Sequence, residues 1–273
     1  VTVCIAVAVP DHKTILTVSD TLYSAADYAA EGSIVKWSPI AAGSGGWCAM
    51  YAGTDSYYGR ISDGVIVKLA IGGEGLGIET VRDAYRAVFH GLIRQKIDEE
   101  LLAPLGWDLP YFLNNGLAKL GAELFAQYVS AVDAMNLDTW ALVGGHDPLG
   151  KAHLFSVSPK GEISDHSALG FHAIGDTAWA ALGLLYSRPG FMWSRELDAI
   201  AYTLCEAKFA ADMASPSTVG KKTLIYARDS AGKHCLIRDD QLFGVRRAWD
   251  AAKKRPAPVK ALRSLRKALQ FQD

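Results

Sequence analysis

Two β-rich runs at the start of the chain most constrain its fold. TVCIAVAV (residues 2–9) and TILTVSD (14–20) are separated only by the turn PDHK. Their lengths and the Pro/Asp turn chemistry indicate an antiparallel hairpin. Termini fray unless something ties them down, so a strand that starts almost at the first residue, with Thr2 at its tip, requires a reason. A second pair of strands is expected in GSIVKWSPI and GWCAMYAG, linked by AAGSGG, whose glycines permit a tight turn. Four strands are therefore expected first.

Helices follow. Val81, Tyr85, Val88 and Leu92 step as the apolar stripe of an amphipathic helix. APLGWDLP interrupts the pattern, and a second stripe runs through Leu117, Leu120, Leu124 and Tyr128. Strands return at DTWALVGGHD and KAHLFSVSPKGEI, with Pro159, Lys160 and Gly161 marking a hairpin. GFHAIGDTAWAALGLLYS passes from strand to helix, and Ser194 is placed to cap the next helix, which carries Leu197, Ile200 and Leu204 on one face. KKTLIYARDSAGKHCLI reads as a last hairpin turning at DSAGK.

The order strands, two helices, strands, two helices, strands predicts an α+β fold. Two antiparallel sheets face to face, with a helical pair on each outer side, bury all these faces in a four-layer αββα sandwich. The 273 residues suffice for such a core, half of them being hydrophobic. A domain over 1–240 is expected, with a basic helical extension over 241–273. In that extension Val259, Leu262, Leu265 and Leu269 have helical spacing, with Lys260, Arg263, Arg266 and Lys267 beside them. Docking on its own or a neighbouring subunit is the favoured reading; nucleic-acid binding is the other.

A net charge of −1 gives no argument for nucleic acid or membrane as a partner of the whole molecule. The longest apolar stretches, such as AWAALGLLY, fall short of the roughly 20 residues a membrane span needs. The N-terminal run lacks the basic leader of a signal peptide. Cys4, Cys48, Cys205 and Cys235 have no CxxC pair and no metal-like spacing to histidine. They read as buried thiols in a reducing compartment. The expectation is a cytoplasmic protein with no cofactor and no metal.

The chemistry gathers at one sheet edge. Thr2 starts strand one, Asp20 ends strand two, Lys36 lies in strand three, and Gly53 closes strand four in MYAGTD. In a hairpin the start of one strand lies beside the end of the other, so Thr2 and Asp20 become neighbours. Lys36 on the next strand can join them.

This arrangement resembles the proteasome β-subunit class of N-terminal nucleophile hydrolases, which includes the HslV peptidase and the Anbu proteins. The Asp20-to-Lys36 interval matches the family's Asp/Lys interval, and MYAGT resembles the segment ending in its oxyanion glycine. LVGGHDPLGKAHLFSVSPKGEI looks like its central hairpin. HAIGDTAWAALGLLY resembles its Gly-Ser-Gly lead into a helix, and TVCIAVAV is especially like the start of Anbu. The resemblance covers Thr2 to Ile237. It implies a threonine-type hydrolase cleaving peptide bonds through an acyl-enzyme on Thr2. Asp20, Lys36 and Gly53 would serve the reaction, with Asp176, Asp212 and Ser217 positioning the amine. It further implies a peptide or unfolded-protein substrate, a homo-oligomer in a ring or open ring, and compatibility with an unfoldase partner.

Three departures stand beside the resemblance. Thr2 to Asp20 is two residues longer than the usual interval; a two-residue extension keeps side chains on the same faces. Cys4 occupies the unextended interval and is a rival nucleophile. Asp176 stands where the family commonly has Ser, and the late Asp-x-x-Ser-Gly segment is matched only loosely, by Asp212 with Ser217 or Ser215. Val1 precedes Thr2 and would block its amine. It reflects a GTG start codon written as valine, or it is removed autolytically, or it stays and the subunit is inactive. A non-catalytic structural subunit and a small-amide hydrolase of the same fold are the alternatives to a peptidase.

Overall fold

The computed structural model describes residues 2–25, 28–31, 36–40, 46–70, 76–188, 190–194, 196–216, 219–252 and 259–268. The strands are β1 (Val3–Val9), β2 (Thr14–Asp20), β3 (Leu22–Ala25), β4 (Tyr28–Glu31), β5 (Trp37–Pro39), β6 (Cys48–Gly53), β7 (Thr139–His146), β8 (Ala152–Val157), β9 (Ile163–Asp165), β10 (Phe171–Gly175), β11 (Thr223–Asp229) and β12 (His234–Ile237). The helices are α1 (Tyr58–Ala70), α2 (Ile78–Lys96), α3 (Leu109–Leu120), α4 (Ala122–Ala134), α5 (Ala178–Tyr186), α6 (Leu197–Ala214), α7 (Asp239–Ala252) and α8 (Val259–Ala268).

Two five-stranded antiparallel sheets form the centre. One has the order β10-β1-β2-β11-β12 and the other β5-β6-β7-β8-β9. The β1 sequence explains its place. Every residue of β1 is buried, and its two faces serve two cores, as the strand period of two dictates. Val3, Ile5, Val7 and Val9 join the core under α5 and α6. Cys4, Ala6 and Ala8 face the other sheet, against Met50, Leu142 and Leu154. The larger side chains thus meet the helices, and small ones line the seam between sheets. Each fully buried Val or Ile contributes about 1.5–3 kcal/mol. On the opposite side of the second sheet, Val81, Tyr85 and Phe89 of α2 and Ile61, Val65 and Leu69 of α1 close the outer core. The four layers expected from the sequence are present.

Several elements differ from expectation. A two-stranded hairpin, β3–β4, follows β2 directly, so six strands precede α1 rather than four. Its sequence, TLYSAADYAAE, alternates too weakly to announce a strand pair. Lys36 precedes β5 by one residue instead of lying inside a strand, and β5 belongs to the second sheet, not beside β2. The stripe through Leu117 and Leu124 does not mark one buried helix. Gly121, at φ 76°, separates α3 from α4, and both leucines are exposed. A positive φ is readily adopted only by glycine. The helices on the second sheet are α1 and α2, while α3 and α4 share a small core around Ile97, Leu102 and Phe112. Ser194 does not cap α6. The cap is Glu196, and Ser194 Oγ instead accepts from the Glu196 backbone N–H.

At the C-terminal end, Leu242, Val245 and Trp249 of α7 and Leu265 of α8 are buried in the same core as α6. Arg266 of α8 pairs with Asp198 and Glu196 at 3.1 and 2.9 Å. The basic helix therefore docks on its own chain. Leu269 lies outside the described residues. Among the described residues no helix is long and apolar enough to cross a membrane.

Candidate active site

Thr2 sits at the mouth of β1, where its backbone is gripped from one side. The Asp176 N–H donates to the Thr2 carbonyl at 3.2 Å. Val3 pairs with Gly175 in the β1–β10 ladder. Gly175 adopts φ +106°, and a Cβ there would collide with the Thr2 carbonyl oxygen. The close approach of β10 to Thr2 thus depends on a residue without a side chain.

Asp20 ends β2, the neighbour of β1, and is fully buried. Thr2 Oγ1 donates to Asp20 Oδ1, and the Val3 N–H donates to the same oxygen at 3.2 Å. Oδ2 accepts from the Leu22 N–H at 3.3 Å and the Gly220 N–H at 3.0 Å. Lys36 enters from the other sheet. Its Nζ donates to Thr2 Oγ1 and, at 2.9 Å, to Asp20 Oδ1. Hydroxyl, carboxylate and ammonium therefore form a closed triangle, with Thr2 2 %, Asp20 0 % and Lys36 9 % exposed. A buried carboxylate without a cation would be costly. Here Lys36 compensates it, and three backbone donors occupy much of the remaining acceptor capacity.

Gly53 closes β6 at φ +116°. Its carbonyl accepts from Tyr58 Oη at 2.9 Å. Cys4 Sγ reaches the Tyr51 carbonyl at 3.5 Å, which places this end of β6 across from the start of β1.

Cys4 lies on the same face of β1 as Thr2 and is completely buried. Burial pushes its thiol up to about 12, outweighing the nearby Lys36 ammonium. At neutral pH it is a thiol, not the thiolate that acts as nucleophile. The other cysteines are also free and buried.

The remaining expected residues fall differently. Asp176 meets Thr2 through its backbone N–H. Asp212, near the end of α6, is buried and receives the guanidinium of Arg246 from α7. Ser217 lies outside the described residues. Ser215 follows α6 and its carbonyl accepts from the Val219 N–H at 3.1 Å. Sequence reasoning missed Tyr58 and the contact of Gly220 with Asp20, while Gly175 stood in the stretch HAIGD compared with the family's lead into a helix. Gly220 closes SPSTVG, the stretch matched loosely to the late Asp-x-x-Ser-Gly segment, but its approach to Asp20 exists only once β11 pairs with β2.

No family model and no curated protein matches the chain. Among solved structures it is similar to an Anbu (Gly-1) mutant from Hyphomicrobium sp. strain MC1, at 14 % sequence identity and a TM-score of 0.62, covering 100 % of both chains. At that identity the likeness is one of fold: an α+β sandwich of two five-stranded antiparallel sheets flanked by helices.

Proposed function

We propose that the chain is a threonine-type N-terminal nucleophile hydrolase that cleaves peptide bonds through an acyl-enzyme on Thr2. The observation that carries this reading is the buried contact of Lys36 Nζ with Thr2 Oγ1, both held by Asp20. A free threonine hydroxyl is a poor nucleophile and needs an adjacent base. The α-amine of Thr2, of a kind that ordinarily titrates at about 7.7–8.0, is that base once Val1 is removed.

In the proposed sequence the amine takes the proton of Oγ1 as Oγ1 attacks the scissile carbonyl carbon. Lys36 stabilises the developing alkoxide and favours the neutral amine by like-charge repulsion. Asp20 keeps Lys36 oriented. The Gly53 N–H donates to the tetrahedral oxyanion, a contribution of roughly 3–4 kcal/mol. The C–N bond breaks, the leaving amine takes the proton, and water then hydrolyses the ester on Thr2. Asp176 acts through its grip on the Thr2 backbone. In this reading Asp212 and Ser217 are assigned the role of positioning the amine.

The proteasome-like fold supports assembly into a homo-oligomer, as a ring or open ring, working on peptide or unfolded protein in the cytoplasm, with an unfoldase as partner. The test is hydrolysis of fluorogenic peptides by the native chain, Thr2→Ala and Thr2→Ser. Loss in Thr2→Ala with partial retention in Thr2→Ser is expected. Equal turnover by the native chain and Thr2→Ala would remove Thr2 from the mechanism. Cleavage confined to small amides would redirect the substrate class.

A further inference from the structure

Lys208 is fully buried on α6. Burial lowers its ammonium to about 8, against the opposing pull of Asp212 and Asp20. An apolar side chain could fill the space without that desolvation cost. What the ammonium does there is grip backbone. Its Nζ donates to the Gly220 carbonyl and, at 3.0 Å, to the Lys221 carbonyl. Arg246 of α7 donates to the same Lys221 carbonyl at 2.8 Å. The Arg246 guanidinium is itself held by Asp212 and lies 4.9 Å from the centre of the Phe209 ring. Two cations thus converge on one stretch of backbone just before β11.

That stretch bears the Gly220 N–H, which donates to Asp20 Oδ2. The other oxygen of the same carboxylate meets Thr2 and Lys36. A carboxylate turns as a rigid plane, so fixing Oδ2 fixes Oδ1.

We infer that Lys208 and Arg246 are positioning residues that clamp the 220–221 backbone, so that the Gly220 N–H locks Asp20 in the orientation that meets Thr2 and Lys36. The inference rests on the proposed role of Thr2 and deepens it. It gives Asp212 a part as the anchor of Arg246, and it makes α7 of the C-terminal segment a support of the site.

The test uses Lys208→Met and Arg246→Met in the full chain, with two readouts. The first is amide hydrogen exchange over residues 219–223, which needs no activity. Both variants are expected to lose about tenfold in protection there, the scale of one charge-assisted hydrogen bond. The second is labelling of Thr2 by a peptide epoxyketone. The maximal inactivation rate is expected to fall about tenfold while the half-saturating concentration stays unchanged, a split that general loosening of the fold does not give. Unchanged exchange at 219–223 overturns the clamp. Loosened exchange with an unchanged labelling rate overturns its coupling to the site. Should Lys208→Met not fold, Arg246→Met, at a partly exposed position, decides on the same terms. Should the native chain not label at Thr2, the hydrolase reading fails by itself and the exchange readout alone judges the clamp.

Discussion

Lys36 Nζ lies 2.9 Å from Asp20 Oδ1, although Asp20 ends an inner strand of one sheet and Lys36 leads into an edge strand of the other. The pair pins the two sheets together at the end of the sandwich where Thr2 emerges. Fold and proposed chemistry therefore share one electrostatic joint.

Lys36→Met breaks that joint. Removing one partner of a buried pair costs about 3–5 kcal/mol. The three backbone donors retained by Asp20 place this loss at the lower end. Denaturant melts should show a clear drop in midpoint with the fold retained. Peptide turnover in the folded variant should fall by about 10²–10³ in kcat, the scale of losing one transition-state donor. Unchanged kcat would separate Lys36 from the reaction.

Gly53→Ala tests the oxyanion donor. At φ +116° an alanine is strained, and its Cβ would collide with the Asp138 carbonyl oxygen. Backbone strain of this kind costs about 1–3 kcal/mol. The β6 end must shift and carry the Gly53 N–H with it. A fall in kcat larger than the change in KM is expected from steady-state kinetics.

Cys4→Ala is expected to keep both peptide turnover and probe labelling. A thiol pushed up to about 12 by burial holds almost no thiolate at neutral pH. Iodoacetamide should likewise leave Cys4 unmodified in the native protein at pH 7.5. Loss of labelling in a folded Cys4→Ala would promote the sulfur to nucleophile.

Acid should destabilise the fold through His172. Burial lowers its imidazole to about 4, helped by His166, whose ring stacks on it at 3.6 Å. An unfolded histidine titrates near 6.5. Between about 6.5 and 4 the unfolded chain binds the proton first, so stability falls as pH falls through that window. Against the opposing effect of burial, Asp165, beside His166, is held down to about 2 by hydrogen bonds from Ser167 and then by Arg82, and stays charged throughout. His166 and His146, also lowered by burial, act in the same direction. His172→Gln should therefore make the decline of Tm between pH 7 and 4.5 shallower, without abolishing it.

Much of this architecture was legible because strand and helix periods are local. The runs at 2–9 and 14–20 announced a buried hairpin, and hairpin geometry alone set Thr2 beside Asp20. The stripe Val81, Tyr85, Val88 found α2 for the same reason. What stayed hidden depends on distant pairing. Lys36 joins Asp20 as expected, but its route, across from the other sheet and not from a strand beside β2, is one that no interval specifies. The Gly220 N–H meets Asp20 only because β11 joins β2. Leu117 and Leu124 have helical spacing, but Gly121 breaks the helix and leaves both exposed. Spacing alone does not tell a buried stripe from an open one.

The most direct measurement is intact-mass spectrometry of the purified protein after treatment with a peptide β-lactone or epoxyketone. The proposed mechanism requires a chain whose first residue is Thr2, bearing one adduct that vanishes in Thr2→Ala. A mature polypeptide that always keeps Val1, or an adduct that persists in Thr2→Ala, would contradict it.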